Sequence, residues 1–376
     1  MSHCTANKKA ASAFVRRNSI PTTGAVAKAL FNSAIGIDVH HDILVCAYQY
    51  CNRESDEITT EVCSFGTTAS ELAKFTDWCR NRHPEQILME STGVLWFSPY
   101  EALESVGFTN RQLSLINARD FKAIVGRKSD KQDAERLALY ARIGNVRSSF
   151  VPAKCFREMR TVSRLLSKTT DEQSRARSRY LKTLNFIGCR ASSVFSDVRG
   201  KAATAILEVL AEGTREQLID AIKIHGRRLR KSAAEILDAL DFAVSPAMAM
   251  QLRIQKQHME ALSQTCEELY ALLKVMQANY QPWINRLMTV PGIKERAARV
   301  IFAEVTNDLS SFPDAAHLAS WVGVCPGTME SAGKRYSGRA AKGNRYLRRI
   351  LVECSQAIGL MRKGALYSLF QAFKER

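Results

Sequence analysis

Four acidic residues, far apart in the chain, have types and spacings suited to one kind of chemistry. Asp38 closes a β-branched run, Ile35 to Val39, and Glu90 closes a second short apolar run, Gln86 to Glu90. Asp130 and Asp133 open an apolar-periodic segment three residues apart, so both project from one face of a helix start. Strand ends beside a helix start are where open α/β sheets build their sites. Four convergent carboxylates repel one another unless hard cations neutralise them, and two Mg²⁺ ions spanning a phosphodiester are the usual solution. The expected chemistry is phosphoryl transfer. Taken singly, each acid has a plainer reading, since Asp after a strand forms turns and Asp at a helix start caps it. Asp42, in the turn after Asp38, and Glu135, on the other side of its helix, are weaker candidates. Lys128 is placed to contact phosphate.

A second constellation lies near the C-terminus. Glu330-Ser331-Ala332-Gly333 is followed by Lys334, Arg335, Arg339, Lys342, Arg345, Arg348 and Arg349 without an intervening acid. The segment reads as a loop that invites phosphate, with Asn344 capping a helix whose buried stripe is Leu347, Ile350, Leu351, Cys354 and Ile358. A serine in such a basic, glycine-containing loop can attack a DNA phosphate while the cations stabilise the developing charge. Alone this is a weak signal, because loop serines mostly bond to nearby backbone. Upstream, Val290-Pro291-Gly292-Ile293 between two helical stretches reads as a helix-hairpin-helix turn, or as a purely structural αα turn.

The elements that must position these residues follow from hydrophobic period. Runs at Ile35 to Val39, Ile43 to Tyr48 and Ile58 to Phe65 predict a three-stranded meander. A helix at Thr68 to Arg82, a strand at Gln86 to Glu90, a helix at Phe97 to Val106, a strand at Gln112 to Ile116 and a helix at Lys131 to Ile143 complete a mixed α/β sheet domain ending near Pro152. Residues 151–245 read as a basic helical region, with clusters at Arg175, Arg177, Arg179, Lys182 and at Arg227, Arg228, Arg230, Lys231. Residues 246–284 carry a seam of Met259, Leu262, Cys266, Leu269, Leu273, Met276 and Tyr280, which reads as a coiled-coil arm or an intramolecular helix pair. Residues 285–376 form a mainly α C-terminal domain, and residues 1–33 a basic mobile arm.

The chain has 376 residues, with 54 Lys+Arg against 37 Asp+Glu, a formal net charge of +17 and a hydrophobic fraction of 46%. That favours folded domains attracted to polyanions, DNA and RNA foremost. No run approaches the ~20 apolar residues of a membrane span, and residues 1–33 lack a secretory signal. The ten cysteines show no zinc-binding spacing. A cytoplasmic protein with reduced thiols is expected.

Together, several motifs resemble those of the insertion-sequence one-ten family of transposases. They are IGID ending at Asp38, MESTG around Glu90, NARDFKAIVGRKSDKQDAERLALYA containing Asp130 and Asp133, VPGI at Val290 to Ile293, and SAGK followed by KGNRYLRRIL. The resemblance runs from about Ile35 to Leu351. It implies an α/β plus α chain with an N-terminal RNase H-like (RuvC-type) DEDD domain over 34–150, a helical and coiled-coil middle, and a C-terminal transposase domain. It further implies that Asp38, Glu90, Asp130 and Asp133 bind Mg²⁺, and that Ser331 forms a transient covalent link to DNA. Ala332 stands where the family has glycine, which leaves Ser337 as a second candidate nucleophile. Implied partners are donor and target DNA, a structured noncoding guide (bridge) RNA, and further copies of the chain in a dimer or tetramer, in which one subunit's acidic domain meets another's serine domain. Two other readings remain open on the residues themselves, a metal-dependent hydrolytic nuclease or junction resolvase and a non-catalytic nucleic-acid-binding protein.

Overall fold

The structure is a computed structural model. It describes residues 14–17, 29–52, 57–91, 93–117, 129–144, 148–195, 200–212, 214–226, 229, 231–240, 245–325, 329–331, 334–337, 340 and 342–374. The chain divides into two compact units, Met1–Lys154 and Cys155–Arg376.

The first unit is built on β1 (Phe14–Arg17), β2 (Ser33–Val39), β3 (Ile43–Cys51), β4 (Ile58–Gly66), α1 (Ala69–Arg82), β5 (Gln86–Glu90), α2 (Phe97–Ser105), β6 (Leu113–Ile116) and α3 (Asp130–Ile143). The sheet order is β1-β4-β3-β2-β5-β6. β2, β3 and β4 form the antiparallel meander, whereas β5 runs parallel to β2, and β6 parallel to β5. Three antiparallel strands followed by a parallel pair is the RNase H-like arrangement. β1 is a departure from expectation. It lies inside the stretch read as a mobile arm, yet pairs antiparallel with the edge of β4 from Phe14↔Val62 to Arg17↔Thr59.

The alternation of side chains across the pleat assigns the two faces. Ile35, Ile37 and Val39 of β2, Ile87 and Met89 of β5, and Leu113 and Leu115 of β6 pack under α1 and α2 around Phe75, Trp78, Tyr100 and Leu103. The opposite face presents Ala34, Leu88 and Ile116 to Leu137 and Ala141 of α3, while Val45 and Ala47 meet Ala134 and Ala138. Small residues line this second face, and α3 therefore lies close upon it. Gly36 is the point of nearest approach: a Cβ there would stand 2.2 Å from the Ala134 carbonyl oxygen and from the Ala138 nitrogen.

Among its described residues, the second unit is helical apart from one hairpin. In order it contains α4 (Lys154–Phe186), α5 (Ala191–Val194), α6 (Lys201–Glu212), α7 (Arg215–His225), α8 (Ala233–Leu240), α9 (Pro246–Met276), α10 (Gln281–Met288), α11 (Glu295–Val305), α12 (Ala315–Val322), β7 (Met329–Ser331), β8 (Lys334–Ser337), α13 (Arg345–Leu360) and α14 (Ala365–Lys374). The apolar seam of α9 is used within the chain. Cys266, Leu269, Leu273, Met276 and Tyr280 pack with Phe156, Met159 and Leu166 of α4 and with Phe302 of α11, and Met259 joins the cluster around Tyr180 and Leu184. Of the two readings of that seam, the intramolecular helix pair is the one the structure has.

The segment expected to be a serine loop is instead a short antiparallel hairpin, with Ser331 opposite Lys334 at the turn end and Ser337 opposite Met329 at the other. Beyond it Gly343 presses against the end of α12, where a Cβ would stand 2.4 Å from the Val322 carbonyl. Asn344 then caps α13 by accepting from the Tyr346 and Leu347 N–H groups, both at 3.1 Å.

Candidate active site

The residue spacing along β2 brings Gly36 and Asp38 to one face of the sheet. Because Gly36 admits α3 onto that face, the first turn of α3 reaches the end of β2 where Asp38 sits. Glu90 occupies the matching end of β5, one step past the Ile37↔Met89 pair and on the same face as Leu88. Asp38 and Glu90 are both buried, at 6% and 7% exposure. The four acids named from sequence thus meet at one end of the sheet.

Ser129, and not Asp130, caps α3, accepting from the Gln132 N–H at 3.4 Å. This leaves Asp130 uncommitted to the cap and largely exposed, and Asp133 half-buried with Arg136 at 3.4 Å. Both acids lie in the first helical turn, where the aligned peptide dipoles favour negative charge.

The structure adds a residue that the sequence reading passed over. His40 begins the turn after β2, and its Nε2 lies 3.0 Å from Asp38 Oδ2 and 3.7 Å from Asp130 Oδ1. One ligand atom from each of Asp38, His40 and Asp130 lies within 4.8 Å of the other two. The signal in the sequence is its place two residues after Asp38, just past the end of β2.

Burial pushes the Asp38 carboxyl above its ordinary value; His40 opposes this, and the Glu90 and Asp133 carboxylates add to it. A partly desolvated acid surrounded by other acids has unmet demand for positive charge. Oxygen donors dominate this set, which suits a hard divalent ion, and the imidazole adds a donor acceptable to several transition metals. The residues present therefore fit a divalent cation.

The basic residues named from the sequence fall into several situations. Lys128 and Arg339 lie outside the described residues, as do Arg227, Arg228 and Arg230. Lys334 and Arg335 belong to β8. Lys342, Arg345 and Arg348 are exposed around the start of α13, whereas Arg349 is held by Asp171 at 2.6 Å and Glu353 at 2.9 Å. Behind them is a buried network that the sequence did not reveal. Glu304 of α11 has a fully buried side chain, bonded by Arg164 through Nε and Nη2 at 2.8 and 2.9 Å and by Asn344 Nδ2 at 2.6 Å. Arg160 donates to the Ala303 and Glu304 carbonyls. This network fixes the cap of α13, and with it the cations at the helix start.

The site is thus a set of acids at the ends of two parallel strands of an RNase H-like sheet and at a helix start, in a chain that continues into a helical unit. Residues 35–188 match the DEDD family of IS110, described as "Transposase", and residues 284–369 match the "Transposase IS116/IS110/IS902 family". The chain belongs to this transposase family. It is similar to the "Insertion element IS110 uncharacterized 43.6 kDa protein" of Streptomyces coelicolor (strain ATCC BAA-471 / A3(2) / M145), at 30% identity over 172 residues. That alignment covers 40% of this chain and 40% of the relative's length. Among solved structures, the "Thermus thermophilus RuvC structure" aligns at 15% identity with a TM-score of 0.22, over 31% of this chain and 99% of the other. Among the described residues, no helix is long and apolar enough to cross a membrane.

Proposed function

We propose that the chain is a DNA transposase that cuts strands at the ends of an insertion element and rejoins them to a target, using the acid cluster and a serine nucleophile. The observation that carries this reading is the meeting of Asp38, His40 and Asp130 within 4.8 Å, with Glu90 and Asp133 acting on Asp38, in a member of a transposase family.

Asp38, Glu90, Asp130 and Asp133 would hold Mg²⁺, with His40 orienting Asp38. Mg²⁺ bound there would polarise a phosphodiester and offset the negative charge that accumulates during its displacement. The residues of the chain do the rest. Asp38 and Glu90, fixed on neighbouring strands, set the position of the charge, and Asp130 and Asp133 close over it from α3. Ser331 Oγ would attack the phosphorus: an Oγ–P bond forms, one bridging P–O bond breaks, and the departing DNA oxygen takes up a proton as Oγ loses one. The hydroxyl of the incoming strand then reverses the step and frees the serine. Lys334, Arg335, Lys342, Arg345 and Arg348 would hold the flanking phosphates. In this reading donor and target DNA are selected by a structured noncoding guide RNA, and the working enzyme is an oligomer of this chain.

The test is strand exchange on the cognate element ends with Mg²⁺, together with detection of a protein–DNA adduct stable to denaturation. Asp38→Ala is expected to abolish cleavage, and Ser331→Ala to abolish the adduct and the exchange. Exchange that survives Ser331→Ala but not Asp38→Ala would remove the serine step and leave a metal-only enzyme. Binding without any Mg²⁺-dependent cleavage would remove the enzyme reading altogether. Co-purification of an RNA encoded beside the element tests the guide.

A further inference from the structure

Within the second unit, α4, α11 and α13 enclose a cavity of about 730 Å³. That is inside the range of roughly 300–1,000 Å³ typical of small-ligand pockets. Its walls are mostly apolar, with Leu166, Val300, Ile350 and Ala357 among them. Its mouth is cationic. Lys294 and Arg296 line it and are exposed, at the start of α11 just after the Gly292 turn. Arg349 is also on the lining but is neutralised by Asp171 and Glu353. The Lys294 side chain makes no cap bond to α11, which leaves it free of the helix end.

Ser163 lines the cavity at 1% exposure, and its Oγ has no hydrogen-bond partner. The site thus has an apolar interior and a phosphate-attracting rim, in a chain of net charge +17.

We propose that this cavity receives one unpaired nucleotide of a nucleic-acid strand, the base entering between the apolar walls and its phosphate resting on Lys294 and Arg296. Flat, apolar-faced bases with polar edges match such a chamber, and apolar side chains commonly sandwich a base taken out of its stack. A stacked base pair has no free face to offer, so the strand bound here is single-stranded, looped or locally opened. A single-stranded segment of DNA and a loop of RNA present the same chemistry, and the 2′-hydroxyl separates them.

The experiment uses the full chain in EDTA, so that it is independent of the acid cluster and of any strand cutting. Fluorescence anisotropy compares oligothymidylate, oligouridylate and an abasic strand of equal length. Wild-type protein is expected to prefer a strand with bases by about tenfold over the abasic one, the scale of one buried base contact. Ala357→Trp fills the cavity and leaves Lys294 and Arg296 in place. It is expected to erase the preference while the abasic strand binds as before. A larger preference with oligouridylate assigns the site to RNA, and with oligothymidylate to DNA. Photocrosslinking of a thio-substituted strand to the wild-type chain gives a readout that needs no variant: adducts on peptides of α4, α11 or α13 support the site, and adducts confined elsewhere overturn it. An unchanged base preference in Ala357→Trp, or a change only in oligomeric state, also overturns it.

Discussion

Gly36 of β2 and Ala134 of α3 are in backbone contact, so close that a Cβ on Gly36 would stand 2.2 Å from the Ala134 carbonyl oxygen. The helix cannot give way cheaply, because Ala134, Leu137, Ala138 and Ala141 are all buried against the sheet. Gly36→Val is expected to cost about 1–3 kcal/mol or more, the range for overpacking a filled core. It should also displace the first turn of α3 from the end of β2. Equilibrium denaturation followed by far-UV circular dichroism measures the first effect, and loss of divalent-ion binding measures the second. A Gly36→Val protein with native stability and native ion binding would contradict the placement of α3.

The acid cluster sets function against stability. Burial holds Asp38 above its ordinary carboxylate value, with Glu90 and Asp133 reinforcing the effect against His40. A group whose folded value is raised supports the fold while protonated, and that support disappears as pH rises through the folded value. At neutral pH, without a cation, ionised Asp38 therefore weighs against folding. Asp38→Asn is expected to raise the melting temperature in EDTA at neutral pH, to have less effect at acidic pH, and to remove the stabilisation that added Mg²⁺ gives the wild type. A lower melting temperature in EDTA would show that the Asp38 charge is satisfied by the protein alone.

His40 touches two of the acids, at 3.0 Å from Asp38 and 3.7 Å from Asp130. Groups that orient metal-binding carboxylates typically contribute 10–100-fold in affinity. His40→Ala is therefore expected to weaken divalent-ion binding by about tenfold with little change in stability, since the ring is only partly buried. Isothermal titration with Mg²⁺ and Mn²⁺ measures it. If His40 is itself a ligand, the loss is larger for Mn²⁺, whose preference for imidazole is greater. Equal affinities in the variant and the wild type would make His40 a bystander.

The parts legible in the sequence are those written in local period. The strands alternate at two, and Gln86–Glu90 falls where the pattern puts it. The helix that carries Asp130 and Asp133 begins one residue earlier than the period predicts, because Ser129 provides the cap. What was missed depends on distant partners. Phe14–Arg17 has no pattern of its own and becomes a strand only because β4 offers it an edge. Met329–Ser331 and Lys334–Ser337 are too short to show a period, and pairing makes them a hairpin. The α9 seam has heptad spacing, but spacing does not say whether the partner helix is in the same chain, and here α4 fills the role. His40 was overlooked because it follows the strand's last residue. Glu304 resembled any acid in a helix, with its partners 140 residues earlier at Arg164 and 40 residues later at Asn344.

Glu304 is the member of that network on which the others depend. Its side chain is wholly buried, and it answers the charge of Arg164, lies near Arg160 at 3.7 Å and accepts from Asn344. Burial draws the Arg160 guanidinium down to about 10, with Glu304 opposing the fall, so removing the carboxylate leaves a desolvated cation without its counter-charge. Breaking one side of a buried pair in this way typically costs about 3–5 kcal/mol. Glu304→Gln keeps the shape and removes the charge, and is expected to approach that cost. Asn344→Ala deletes only the cap, which is worth about 1 kcal/mol. Hydrogen exchange separates the two: Glu304→Gln should open α11 and α13 together, because both helices converge on this carboxylate, whereas Asn344→Ala should fray only the first turn of α13. Single-stranded nucleic-acid binding ought to weaken in both, and by more in Glu304→Gln, since Arg345 and Arg348 keep their positions only while the start of α13 is held. A Glu304→Gln protein that matched the wild type in exchange and in binding would mean that Arg160 and Arg164 are satisfied without it.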